Sequence, residues 1–328
     1  MTPLIIAVIV LALIFDFLNG IHDSSNVVAT MISSRALSPR LALGLTALAN
    51  FVGPFIFGVA VAETIGNEVV SSETISIQVI LAALTSAILW NLLTWYLGFP
   101  SSSSHALIGG ILGAVVMGAG WQAIHLYGIA KILIALFTSP ILGIIIGYLI
   151  LRILFLLCWN SSPRVNRFFK RSQIFTALAL ALSHGTNDAQ KTMGIITLAL
   201  VTGGYLKTFA VPIWVIIICA SMIALGTSVG GWKLIRTLGG KFYRIRPVDG
   251  FASQLASAIV ILGASLVGGP VSTTQVVSSS IMGVGAAERK NKVRWGVAQE
   301  IAMAWLLTIP ATALVAAGLY WVLIRIIP

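Results

Sequence analysis

Leu182–Met193 reads LSHGTNDAQKTM and sets His184, Asn187, Asp188, Gln190 and Lys191 inside an otherwise apolar run. About 165 residues earlier, Leu18–Thr30 reads LNGIHDSSNVVAT, so Gly20 aligns with Gly185, His22 with Asn187 and Asp23 with Asp188. Charged and amide side chains at membrane depth are costly and turn inward, toward a bundle interior or an aqueous cavity. Capping of a half-helix would account for Asp23 and Asp188 but not for the Asn, Gln and Lys beside them. The two stretches read as one functional element written twice.

Composition sets the surroundings. Of 328 residues, 58% are hydrophobic and only 9% charged, against about 25% charged in an average soluble protein. Several apolar runs exceed the ~20 residues that cross a bilayer. The chain reads as an all-α polytopic membrane protein, and the run from Pro3 lacks the basic start and small-residue site of a cleavable signal peptide. A formal net charge of +11 is concentrated in Arg164–Arg171, Lys233–Arg246 and Arg289–Arg294. Basic loops between apolar spans are what orientation in a membrane produces, so no nucleic-acid partner is expected. Cys158 and Cys219 lie in or beside apolar runs and suggest inert thiols rather than a metal site or disulfide.

The halves repeat a plan. The broken segment 3–34 matches 173–202, and Pro100-Ser101-Ser102-Ser103-Ser104 matches Pro270-Val271-Ser272-Thr273-Thr274. Thr138-Ser139-Pro140 matches Thr308-Ile309-Pro310, and Thr64-Ile65-Gly66 matches Thr237-Leu238-Gly239. Markers in the same order indicate a tandem duplication: residues 1–158, a basic cytoplasmic linker 159–172, and residues 173–328. The loop with Glu63, Glu68 and Glu73 has no basic residue, whereas its partner holds Lys233, Arg236, Lys241, Arg244 and Arg246. Equivalent loops of opposite charge bias lie on opposite faces, which makes the repeats inverted and puts the N-terminus outside. The reading is two inverted-topology repeats with broken helices and about 10–12 membrane segments, a transporter architecture with its site between the repeats. The terminal apolar stretches of each half, carrying Pro140 and Pro310, fit one crossing or two.

A helix interrupted in the bilayer exposes backbone N–H groups and a partial positive charge, which suits an oxyanion. Ser101, Ser102, Ser103, Ser104, Ser272, Thr273 and Thr274 add hydroxyl donors, beside Gly109, Gly110, Gly268 and Gly269. Asp23 and Asp188 repel an anion unless a cation or proton shares the site; each could coordinate sodium, take up a proton or accept a hydrogen bond from a protonated oxyanion. Oxyanion donors with two membrane carboxylates therefore suggest symport, driven by H+ or Na+. Asn26, Asn187, Gln190 and Lys191 complete the polar lining. Lys191 could balance charge, contact the anion or snorkel away. His105 and Gln275 occupy matching places with a hydrogen-bonding role. Asn50, Asn91 and Gln254 lie in apolar spans and are site residues or interhelical ties.

These motifs resemble the PiT family of inorganic phosphate transporters. A signature of the form GANDVANA in each half of that family appears here as GIHDSSNV (Gly20–Val27) and GTNDAQKT (Gly185–Thr192). A Pro-x-Ser-x-Thr-His type element appears as PSSSSH (Pro100–His105) and PVSTTQ (Pro270–Gln275). The resemblance spans essentially the whole chain and is nearest to bacterial low-affinity phosphate permeases. It implies that Asp23 and Asp188 act in phosphate and cation binding, with His22, Asn26, Asn50 and Gln254 near the coupling cation or proton. It also implies that the Ser/Thr elements form re-entrant hairpin tips, with Gly20, Gly185, Gln190, Lys191, His105 and Asn91 in support. Departures are His22 for the first signature Asn, Gln190-Lys191 for the second Ala-Asn, and Asn50 and Gln254 where animal relatives place glutamates. No cofactor is expected. The implied partners are inorganic phosphate, alone or as a divalent-metal complex, the plasma-membrane bilayer of a bacterium, and a second copy of the chain as a homodimer.

Two rivals frame the reading. Sulfate fits the same scaffold, but phosphate at neutral pH carries a proton to donate to Asp23 or Asp188, which sulfate lacks. An intramembrane serine hydrolase would pair Ser101–Ser104 with His105, but the second copy has Gln275 in place of the base.

Overall fold

The computed structural model describes residues 1–70, 75–98, 101–162, 164–240, 245–289, 291 and 293–326. Glu73, Pro100, Lys241, Arg244, Lys290 and Lys292, which entered the repeat and charge patterns above, lie outside the described residues.

Twelve α-helices are found among the described residues. They are α1 (Pro3–Ser33), α2 (Pro39–Phe57), the short α3 (Ala60–Glu63), α4 (Ile77–Leu97), α5 (Ser103–Ala119) and α6 (Leu126–Leu157). Then follow α7 (Val165–Thr202), α8 (Ile213–Val229), α9 (Trp232–Gly240), α10 (Pro247–Leu266), α11 (Thr273–Glu288) and α12 (Trp295–Ile326). Proline at the first turn starts α1, α2 and α10, where its missing N–H costs nothing. Gly98, at φ 75°, ends α4 in the left-handed conformation that a side chain resists. Six helices, α1, α2, α4, α6, α10 and most of α12, are long and apolar enough to cross a membrane. Their outer faces expose Leu, Ile, Val and Phe, while Asp, Asn, Ser and Thr are buried. The molecule is thus polar inside and oily outside, as a bilayer requires.

The expectation of broken helices at the twin polar stretches is corrected. Helix α1 runs unbroken through Asn19–Ser25, and α7 through His184–Lys191. Neither stretch contains proline, each holds a single glycine, and the polar side chains find partners on neighbouring helices without the backbone unwinding. The interruptions fall instead at two helical hairpins, α4–α5 and α10–α11, whose second helices begin inside the protein at Ser103 and Thr273. Helices α6 and α12 pass through Pro140 and Pro310 without breaking; each is a single element of 32 residues, about 48 Å long. Helix α7 begins at Val165, so the second part of the 159–172 stretch is already helix.

The packing repeats when one set of six helices is exchanged for the other. Helix α1 packs on α8 as α7 packs on α2, α4 on α1 as α10 on α7, and α5 on α12 as α11 on α6. Contacts at both ends show that α1 and α7 run antiparallel: Ser34 Oγ donates to Gln173 Oε1 at 2.6 Å, and Thr192 Oγ1 to Asp16 Oδ1 at 2.5 Å. Each hairpin's inner helix is therefore braced by the last helix of the other set. The crossings are close. A Cβ on Gly113 of α5 would sit 2.0 Å from the Ala313 carbonyl, and one on Gly283 of α11 would sit 2.1 Å from that of Ile144.

Candidate functional site

The two hairpin tips meet between α1 and α7. Ser102 and Ser272 are the N-caps of α5 and α11, and their hydroxyls accept the amides of His105 at 3.1 Å and Gln275 at 3.3 Å. The amides of Ser103, Ser104, Thr273 and Thr274 belong to the first turns and have no intrahelical acceptor. Ser104 Oγ donates to the Val271 carbonyl at 2.9 Å and ties one tip to the other.

Both aspartates face these tips. Asp23 Oδ1 accepts from Thr274 Oγ1 at 2.7 Å and Asn26 Nδ2 at 2.9 Å, and Asp23 Oδ2 from Thr273 Oγ1 at 3.4 Å and Ser103 Oγ at 3.5 Å. Asp188 Oδ2 accepts from Thr273 Oγ1 at 3.0 Å. One hydroxyl thus lies within reach of both carboxylates, its single proton going to one of them at a time. Asp188 Oδ1 accepts from Lys191 Nζ, which does not snorkel and also donates to Ser104 Oγ at 2.6 Å and the Val271 carbonyl at 3.0 Å. Asp23 is 1% exposed and Asp188 0%, so the site is occluded.

His184 was quoted in the sequence motif but given no role there, and the structure puts it at the centre. Its Nε2 lies 3.0 Å from Asp188 Oδ2 and 3.9 Å from Asp23 Oδ2, while Nδ1 lies 3.3 Å from Asn50 Oδ1. The two groups are close enough for an ion pair, although the angle leaves Nε2 without a hydrogen-bond partner. The spacing was the available signal, since His184 precedes Asp188 by four residues and shares its helix face. The ligand atoms of Asp23, His184 and Asp188 all lie within 4.8 Å of one another, a grouping able to hold a metal ion. Asp16, absent from the sequence reading, is also buried, about two helical turns before Asp23, and bonded to Thr192.

Other expected residues divide into supports and outliers. Asn187 clamps the α10–α11 hairpin, donating to Ser265 Oγ at 2.8 Å and to the Gly269 carbonyl at 3.3 Å while accepting the Val271 amide at 3.2 Å. Ser101 turns away to Thr94 Oγ1 at 2.7 Å, so of the seven hydroxyls Ser103, Thr273 and Thr274 bond the aspartates, Ser104 reaches Asp188 through Lys191, and Ser102 and Ser272 cap. His105 Nδ1 lies 2.7 Å from Ser102 Oγ and its ring 3.4 Å from Gln275 Nε2. That serine oxygen is already committed as a cap acceptor. Asn50 reaches the site only through His184, and donates to Thr227 Oγ1 at 2.9 Å. Gln254 ties Thr30 to Thr176, at 2.7 Å each, and Gln190 bonds the Gly58 carbonyl and the Val61 amide. His22 Nδ1 lies 3.4 Å from Asp23 Oδ1 at the site, and His22 also lines, with Asn91, Leu18, Ile21, Leu92 and Trp95, a small cavity of about 40 Å³. Gly20 and Gly185 serve crossings rather than turns: a Cβ would sit 2.4 Å from the Ile223 carbonyl and 2.2 Å from that of Asn50.

Comparison with known proteins concerns the chain as a whole. A model of the phosphate transporter family matches residues 19–316. A probable low-affinity inorganic phosphate transporter of Bacillus subtilis is 48% identical over 325 residues, 98% of this chain and 97% of its own. One from Rhizobium meliloti is 44% identical over 321 residues, 97% of this chain and 96% of its own. A solved structure described as the sodium-dependent phosphate transporter superposes with a TM-score of 0.89 at 25% identity, over 100% of both chains.

Proposed function

Because the chain belongs to the phosphate transporter family, we propose that it imports inorganic phosphate through the site between the α5 and α11 tips, in symport with protons or sodium ions. The observation that carries the site assignment is Thr273 touching Asp23 and Asp188 at once, where two capped helix N-termini converge. Free first-turn amides and the Ser103, Ser104, Thr273 and Thr274 hydroxyls supply neutral donors for a tetrahedral oxyanion. The carboxylates accept the proton of hydrogen phosphate, a bond that sulfate cannot make. Two buried carboxylates disfavour an incoming anion, so phosphate enters with added positive charge. The titratable His184–Asp188 pair supports H+ as that charge; the oxygens around Asp23 support Na+.

Antiparallel α1 and α7, with exchangeable packing partners, support the inverted-repeat reading of residues 1–158 and 173–328. Arg35, Arg40, Arg164, Arg167, Lys170, Arg171 and Arg246 gather at the α1 C-terminal end, where α7 and α10 start. That face is cytoplasmic by the positive-inside rule, and the N-terminus is outside. The membrane is the bacterial plasma membrane.

Phosphate uptake into proteoliposomes, with sodium and pH gradients imposed separately and sulfate as competitor, tests the reading. Asp188→Asn and Asp23→Asn are expected to abolish coupled uptake while the protein remains inserted. Uptake at wild-type rate in either variant removes that carboxylate from the site, and equal competition by sulfate removes the phosphate preference.

A further inference from the structure

Lys191 Nζ is gripped by three kinds of oxygen: the Asp188 carboxylate, the Ser104 hydroxyl and the Val271 carbonyl. The residue is 1% exposed. Such a set suits a hard monovalent cation as well as an ammonium. The first half repeats the frame with a neutral centre. Asn26, which aligns with Lys191, donates to Asp23 Oδ1 at 2.9 Å and to Thr274 Oγ1 at 3.1 Å. Asp23 aligns with Asp188 and Thr274 with Ser104, so carboxylate and hydroxyl recur, with the neutral Asn26 amide in place of the ammonium and the His22 ring 3.4 Å from Asp23 Oδ1. Asn26 Oδ1 is buried without a hydrogen-bond donor, an acceptor oxygen beside a carboxylate and a hydroxyl.

We infer that Lys191 is a tethered cation: its ammonium fills, in the second half, the place that a mobile coupling cation takes in the first, beside Asp23, Thr274 and Asn26 Oδ1. Each phosphate then travels with a single mobile cation. The inference rests on the phosphate symport reading above and adds to it the identity of the coupling seat and the stoichiometry. An ordinary structural ion pair between Lys191 and Asp188 would leave the coupling ratio untouched, which makes that ratio the discriminating measurement.

The experiment reconstitutes wild type, K191N, K191R and N26K, clamps the membrane potential at zero, and finds the phosphate gradient that just balances an imposed gradient of the driving cation. Wild type and K191R are expected to move one cation per phosphate. K191N, with an amide as in the first half, is expected to gain one, its sodium dependence steepening from a Hill coefficient of about one to about two. N26K, with a charge fixed in both halves, is expected to equilibrate phosphate without accumulating it. A wild-type ratio of two or more overturns the inference, as does K191N transporting at the wild-type ratio, K191N inserted but silent at every sodium concentration, or N26K still accumulating phosphate. Should K191N fail to assemble, the wild-type ratio and N26K decide. Absence of phosphate uptake by wild type under both gradients overturns the transport reading itself; uptake at the wrong ratio overturns only the tethered cation.

Discussion

At the scale of single residues, Thr273 is the most informative side chain, because its one hydroxyl touches carboxylates that belong to different helices. Thr273→Val keeps the shape and removes the oxygen. A hydrogen bond to a charged group is worth about 1.5–3 kcal/mol, and 1.4 kcal/mol is a factor of ten. The KM for phosphate is therefore expected to rise by about tenfold to a hundredfold, with Thr273→Ser recovering most of it. Initial uptake rates across a range of phosphate concentrations give the answer, and an unchanged KM excludes Thr273 from the binding set. The twin aspartates and the hydroxyl clusters were legible in the sequence, since nothing else explains polar residues at matching positions in apolar runs. Which serine faces the aspartates was not. That depends on the cap: once Ser102 takes the N-cap, Ser101 is thrown back to Thr94 and Ser103 forward to Asp23. His184 was equally visible in the text of the motif, but its role needs the antiparallel approach of α1, which no local pattern encodes.

Among elements, the hairpins and their braces decide the fold. Hydropathy alone cannot separate a helix that unwinds at a polar stretch from one that continues and turns polar side chains toward a partner, so α1 and α7 read as broken when they are continuous. Conversely, the Ser-rich stretches were expected as tips from the family resemblance, and the structure starts α5 and α11 there on the caps Ser102 and Ser272. The braces are tight. Gly113→Val in α5 would drive a side chain into the Ala313 backbone, and Gly283→Val in α11 into that of Ile144. Overpacking of this kind costs about 1–3 kcal/mol, so both variants are expected to melt several degrees below wild type in detergent and to lose uptake. Gly44→Ala is the control, since nothing lies within 4 Å of its added Cβ. A thermal shift no larger than that of the control would show that the crossing yields.

For the whole molecule, the buried site lies between polar ties on either side. Toward the basic face, Gln254 joins Thr30 of α1 to Thr176 of α7, and Gln173 joins Ser34 to the Pro247 carbonyl. Toward the other face, Thr192 joins Asp16, and Gln190 holds the Gly58–Val61 turn. Opening to either side must break one layer while the other holds, the minimum that alternating access demands. Gln254→Ala is expected to loosen the basic side. A cysteine at Val27, buried in the native protein, should then react with a membrane-impermeant maleimide applied from that side roughly ten times faster, a population shift of about 1.4 kcal/mol. Equal labelling with and without Gln254 would mean that this layer is not a gate.

The exchange of braces has a consequence for how the protein is made. Helix α5 leaves the ribosome about two hundred residues before α12, its packing partner, with hydroxyls at its buried end and an incomplete apolar surface along its length. Until synthesis finishes, α5 has α4 to pack on but lacks its largest brace. Helix α11, by contrast, finds α6 already inserted. Biogenesis of this transporter is therefore lopsided in time although its finished packing is nearly two-fold, and the most exposed intermediate is the one lacking only its final helix.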